Sequence, residues 1–88
     1  MDTAKLALDN TWKVIGDGTK PVLIEARNGA VDWCSSAAAP ADNAPAHKLL
    51  QGDAIYLPSG VKPYARQSGT DKNSSGDFSG VVIFTVYP

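Results

Sequence analysis

The sequence predicts an all-β fold, a compact β-sandwich or jelly roll of about eight short antiparallel strands with little or no helix, and three observations predict it. Short runs of alternating apolar and polar residues recur along the chain. Glycine, proline, asparagine and aspartate separate those runs at short intervals. No stretch of about eleven residues keeps apolar side chains at the i, i+3, i+4, i+7 spacing of an amphipathic helix. The one alanine-rich stretch, Ala37 to Ala46, is interrupted by Pro40 and Pro45. A proline inside a helix costs about 3 kcal/mol, so this stretch is expected as a long loop holding at most a single helical turn.

The strands follow in order. Lys5 to Asp9 alternates Leu6 and Leu8 with polar neighbours, and Thr11 to Ile15 places Trp12 and Val14 on one face. Asp17-Gly18 turns the chain. Pro21 to Arg27 sets Val22, Ile24 and Ala26 on one side and Leu23, Glu25 and Arg27 on the other. Asn28-Gly29 follows, the pair best suited to a two-residue hairpin, so the next strand, Ala30 to Ser35, is expected to fold back on it with Val31 and Trp33 inward. After the loop come His47 to Leu50, a Gln51-Gly52 turn, Ala54 to Leu57 with Ile55 and Leu57 paired, and the turn Pro58-Ser59-Gly60. Val61 to Gln67 contains Pro63, which cannot donate to a ladder and so predicts an edge strand or a bulge. Ser68 to Asp77 is a polar loop. Phe78 to Tyr87 closes the chain with two apolar rows: Val82, Phe84 and Val86 on one face, Val81, Ile83, Thr85 and Tyr87 on the other. Such a strand is buried on both sides, or is central with one face covered by a partner.

Eighty-eight residues make a single domain, 1–88, with residues 1–9 a candidate N-terminal arm. A domain of this size buries only about 60% of the surface its unfolded chain exposes. Disulfides, metals or oligomerisation are the usual remedies. One cysteine, Cys34, and one histidine, His47, exclude an internal disulfide and a Cys/His zinc site, which leaves oligomerisation. The net charge is −1, and the eight basic residues are scattered from Lys5 to Lys72, so nucleic acid is not an expected partner. No signal peptide is expected from the start Met-Asp-Thr-Ala-Lys, and the apolar run Val81 to Phe84 is too short to span a membrane. Synthesis and folding in a cytoplasm are therefore expected, which also suits a lone thiol.

The equipment for chemistry is sparse. His47 is the one base candidate, and no Gly-x-Ser-x-Gly elbow accompanies it. Cys34 follows Trp33 on a strand, where a lone thiol behaves as a small apolar side chain. Trp12 and Trp33 are expected in the core. Asp71-Lys72-Asn73-Ser74-Ser75-Gly76 opens like a calcium loop, but Val82 stands where the bidentate glutamate is required. The nine carboxylates include no close pair on one strand face, as a glycosidase would need. No catalytic, cofactor-binding or metal-binding residue is therefore assigned.

The run Gly52-Asp53-Ala54-Ile55-Tyr56-Leu57-Pro58-Ser59-Gly60 resembles the second motif of cupins, in which a metal-binding histidine follows. Pro63 occupies that ligand position here and no His-x-His occurs upstream, so the resemblance implies the jelly-roll turn without the metal.

Taken together, Trp12-x-Val14, Pro21-Val22-Leu23-Ile24-Glu25-Ala26-Arg27-Asn28-Gly29, Ala38-Ala39-Pro40, Leu49-x-x-Gly52-Asp53 and Val61-x-x-Tyr64-Ala65-Arg66, closed by an apolar strand, resemble small bacteriophage virion structural proteins. The resemblance runs from Trp12 to the C-terminus. It implies a minor capsid or decoration protein that assembles as a homo-oligomer, a trimer being favoured, on the major capsid protein and stabilises the shell. It carries over no catalytic residue and no cofactor. Leu6, Leu8, Tyr64, Arg66 and Tyr87 are the residues expected at the partner interface. A tail-associated receptor- or carbohydrate-binding module is the alternative, compatible with two tryptophans, three tyrosines and long polar loops, and a degenerate cupin enzyme is a third.

Overall fold

Each strand of the first half of the chain pairs with its counterpart counted from the other end. The computed structural model describes residues 2–27, 29–68 and 80–88, and among them eight strands. These are β1 (Asp2–Ala7), β2 (Lys13–Val14), β3 (Val22–Ala26), β4 (Val31–Ser35), β5 (His47–Leu49), β6 (Ala54–Leu57), β7 (Pro63–Gln67) and β8 (Val81–Val86). β1 pairs with β8, β2 with β7, β3 with β6 and β4 with β5, all antiparallel. Two further antiparallel pairings, β3 with β8 and β4 with β7, complete one sheet of order β1-β8-β3-β6 and a second of order β2-β7-β4-β5. The chain is thus one long hairpin rolled into two facing sheets, an all-β jelly roll.

The core is the inward row of each strand. Val22, Ile24 and Ala26 of β3 are buried, as their alternation predicts, together with Leu57, Val82, Val31, Leu49 and Ala65. Phe84, Val86, Leu6, Ile55 and Trp33 pack around them, partly buried. Each large aliphatic side chain taken from water this way contributes about 1.5–3 kcal/mol.

Three expectations about pairing are corrected. Asn28 lies outside the described residues, but β3 and β4 on either side of it belong to different sheets, so the predicted hairpin between them does not form. Gly29 has the positive φ, 95°, that turn chemistry predicts. The turn carries the chain across the sandwich, and its N–H bonds the Gln51 side chain at 2.9 Å. Pro63 is not at an edge: β7 lies between β2 and β4. The proline is tolerated because it is the strand's first residue, where a missing donor interrupts no ladder. The segment expected as an arm is the edge strand β1, paired residue for residue with β8 from Asp2–Val86 to Ala7–Val81.

The turns that cross between sheets stack in pairs. Gly60 N–H donates to Gly18 C=O at 2.8 Å, and Gly52 N–H to Ala26 C=O at 2.8 Å. Gly18 is required twice over. Its φ is +85°, and a Cβ there would stand 3.1 Å from the Lys62 Cβ. The 37–46 loop holds one i to i+3 bond, Ala44 N–H to Ala41 C=O at 3.0 Å, and no helix.

Two identical Asp-x-Thr turns bracket β2. Thr11 donates both its N–H and its hydroxyl to Asp9 Oδ1, at 2.9 and 2.6 Å, and Thr19 does the same to Asp17 at 2.9 and 2.6 Å. These bonds hold both carboxyls below the ordinary value of 3.8. Because the folded values are depressed, the stabilisation is complete above the unfolded value and is lost as pH falls through the folded one. The urea midpoint is therefore expected to hold from neutral pH to about pH 5 and to fall below about pH 4. The double variant Asp9→Ala/Asp17→Ala should show a shallower acid limb in the same titration.

Candidate functional site

The five residues expected at an interface fall in three places. Leu6 faces inward from β1 opposite Val82, and Leu8 is buried at 4% exposure, its N–H bonded to Gly80 C=O at 2.8 Å. Both serve this chain's own core. Tyr64 and Arg66 lie on the outer face of the second sheet, and Tyr87 follows β8 in the first. Its N–H bonds Pro21 C=O at 2.9 Å, and its ring sits 5.9 Å from that of Tyr56. The fold does not gather the five into one patch. Alternation tells which residues share a face, but not which face points inward.

The outer face of the second sheet is covered by side chains and loop. Trp12 stands there rather than in the core, which corrects the expectation for it. Its ring lies 4.2 Å under the Arg66 guanidinium, and its Nε1–H donates to Ala41 C=O at 3.0 Å. That bond ties the proline-broken loop to the sheet. Lys62 Nζ lies 5.9 Å from the Tyr64 ring, and Tyr64 is only 7% exposed although it faces outward. Val14, on the same face, is 45% exposed. Ion–ring contacts of this kind are worth about 0.5–1 kcal/mol at exposed sites.

Cys34 is buried on this face, opposite Tyr64 in the register, and forms no disulfide. Burial pushes its thiol above the ordinary value of 9.0, while nearby Arg66 pulls the other way. A thiol held protonated and shielded reacts slowly. Ellman's reagent at neutral pH is expected to modify Cys34 at least about tenfold more slowly in the folded chain than in urea.

Trp33 packs on the core from β4 and, as expected, faces inward. It pairs with His47 of β5, the two rings 5.1 Å apart and tilted by 34°. Beside them is a shallow pocket of about 260 Å³ lined by Trp33, Cys34, Ser35, Pro45, Ala46 and His47.

The first sheet offers its outer face. Ile83 of β8 lies between Lys5 of β1 and Glu25 of β3, and Thr85 between Thr3 and Leu23. Leu23, Val81, Ile83 and Thr85 are partly exposed and Tyr56 is 56% exposed. Glu25 bonds Arg27 at 3.2 Å, and the Thr3 and Thr85 hydroxyls meet at 2.7 Å. β8 is therefore central, with its second apolar row on an outer face; Phe78 lies outside the described residues.

The cupin ligand position can be tested directly. Pro63 is fully buried at the start of central strand β7, and its ring offers no donor atom. Among the described residues no group of three or more His, Cys, Asp or Glu comes together. These residues do not fit a cupin metal. The calcium-like run Asp71 to Gly76 lies outside the described residues.

No protein-family model matches the chain, and no curated protein matches it. Solved structures do. Protein NMB1881 from Neisseria meningitidis superposes with a TM-score of 0.61 at 12% identity, over 97% of this chain and 72% of that one. The EutQ protein of Clostridium difficile gives 0.60 at 14% identity, over 98% of this chain and 55% of that one. Drosophila melanogaster CENP-C, solved bound to CAL1, gives 0.60 at 12%, over 97% and 63%. The chain thus spans little more than half of EutQ and under two thirds of CENP-C. At these identities the likeness is one of fold.

Proposed function

We propose that this chain is a structural subunit of a bacteriophage virion, a minor capsid or decoration protein that assembles with itself and seats on the major capsid protein, stabilising the shell. The observation that carries this reading is where the residues resembling small virion proteins lie. Separated widely in sequence, Trp12 and Arg66 stack on the outer face of the second sheet, where Tyr64 also lies, and Trp12 bonds Ala41 of the loop that contains Ala38-Ala39-Pro40. The others, from Val22 to Arg27, Leu49, Gly52 and Asp53, build β3, the end of β5 and the crossing turns. Resemblance at framework positions of this kind fits a protein whose product is its shape. On this reading the chain carries no chemistry, and its oligomer, for which the resemblance implies a trimer, adds the burial that so short a chain lacks.

Imaging of purified phage particles at residue resolution tests the assignment. Jelly-roll density on the outside of the shell, with this chain recovered from the same particles by mass spectrometry, is the expected result. Intact particles that lack the chain would sink it.

The Trp33–His47 pocket favours a second reading, a tail-associated carbohydrate-binding module, because rings beside a shallow cavity are suited to sugar faces. A glycan array showing saturable binding that His47→Ala abolishes, together with location at the tail tip, would favour it over the first. An array without signal removes it.

A further inference from the structure

We infer that the outer face of the first sheet is a two-fold contact between copies of this chain, with the β8 strands facing each other and running parallel; this rests on the self-assembly proposed above. Two of the charges on that face, Lys5 and Glu25, flank β8 on opposite sides, and Arg27 stands beyond Glu25. Lys5 and Glu25 pair in register with the two sides of Ile83, so each stands one strand spacing, about 4.8 Å, from it. The adjacent residues on the same strands, Leu6 and Ile24, face the core, so by alternation both charged side chains point outward with Ile83.

Three ways of stacking this face on itself can be compared. A two-fold axis along β8 exchanges left and right, laying each Lys5 over the other copy's Glu25, Ile83 over Ile83, Thr85 over Thr85 and Thr3 over Leu23. An axis across the strands at Ile83 lays Lys5 over Lys5 and Glu25 over Glu25, which like-charge repulsion opposes. An axis between β8 and β3 buries Ile83 against the Glu25 carboxylate, leaving an apolar side chain on a charge. One arrangement remains. It puts an apolar and threonine stripe at the centre and two ion pairs beside it, the division between core and rim found in stable interfaces. Sheets packed face to face lie about 10 Å apart, within reach of a lysine from one side and a glutamate from the other. Glu25 already holds Arg27 at 3.2 Å, so its carboxylate is oriented before the second copy arrives. The pattern is two-fold, so this contact makes a dimer in place of the trimer that the resemblance implies.

Native mass spectrometry and sedimentation equilibrium of the full chain test this, with circular dichroism to check that each variant folds. The expected species has twice the chain mass of 9.2 kDa and dissociates more readily as salt is raised. Lys5→Glu and Glu25→Lys should each weaken it about tenfold or more. An equimolar mixture of the two variants should recover the association as a heterodimer, because each copy then presents the charge the other lacks. If Glu25→Lys fails to fold beside Arg27, Glu25→Gln with Lys5→Gln supplies the weakening arm. A trimer, or a dimer indifferent to these substitutions, overturns this inference and leaves self-assembly standing. A monomer at every concentration overturns both.

Discussion

Replacing Ile24 with alanine is expected to lower the unfolding free energy by about 2–5 kcal/mol. Ile24 is 1% exposed at the middle of β3, flanked in register by Ile55 of β6 and Phe84 of β8. All three point into the sandwich, so the truncation opens a cavity between two strands held in place by their ladders. The lining cannot close it without moving β3, whose main chain is bonded on both sides. For a domain of this size, at about 4–8 °C per kcal/mol, the loss corresponds to a fall in melting temperature of about 8–40 °C. Total stability is about 5–15 kcal/mol for native domains, so a sizeable share of it rests at this one position. Leu50→Ala removes a comparable aliphatic side chain from a site 51% exposed and is expected to change stability by no more than about 0.5 kcal/mol. Thermal and urea unfolding of the two variants beside the parent check both values. Equal effects would mean that β3 does not run through the core.

The positions of the strands were readable because alternation and turn chemistry are local. Val22, Ile24 and Ala26 announce a half-buried strand whatever lies beside it, and Asn28-Gly29 announces a reversal of direction. Which strand pairs with which is not local. Gly29 adopts a positive φ in a hairpin and in a crossing turn alike, and the choice between them is made by β6 and β8, which claim the two edges of β3 from far along the chain. Pro63 misled for the same reason. A proline at a strand's first residue removes a donor no neighbour needs, but the sequence does not show where pairing begins. The candidate surfaces were less readable still. Trp12 and Val14 share a face as predicted, yet that face is the outer one, while Ile15 just beyond the strand is 1% exposed. The stacking of Arg66 on Trp12 has no local signature. The Asp9-Asn10-Thr11 and Asp17-Gly18-Thr19 turns do have one, in their repeated Asp-x-Thr spacing, and it was there to be read.

The fold narrows function less than the residues placed on it. Jelly rolls host capsid proteins, lectins and cupins, and likeness at 12–14% identity does not choose among them. Pro63 speaks against the metal chemistry of cupins at the one position where the chain most resembles them. The Trp33–His47 pocket and the outer face of β8 are the surfaces on which the two proposed readings place ligand binding and assembly. Substitutions at His47 and at Lys5 with Glu25 address these two surfaces separately, because His47 lies in the second sheet and Lys5 and Glu25 in the first.

Gly80→Ala is expected to destabilise the chain by about 1–3 kcal/mol through overpacking. Gly80 precedes β8, and its carbonyl accepts the Leu8 N–H at 2.8 Å. Its φ is not of the kind that demands glycine; the demand is for space. A Cβ built there stands 2.9 Å from Val31 Cγ1, 3.5 Å from Ala30 C=O and 3.6 Å from the Gln67 Cα. Val31 is fully buried and β-branched, so it has little freedom at χ1 to retreat. The other two neighbours are backbone. Relief must therefore come from parting the end of β8 from the second sheet, which also strains the Leu8 bond. Val31→Ala alone leaves a cavity and is itself destabilising, but in the double variant the new methyl occupies part of the space the valine vacates. Unfolding measured on both single variants and the double should give a loss smaller than the sum by about 1 kcal/mol or more. Strict additivity would mean that the two side chains do not meet, and with that the close approach of β4 and the start of β8 would be wrong.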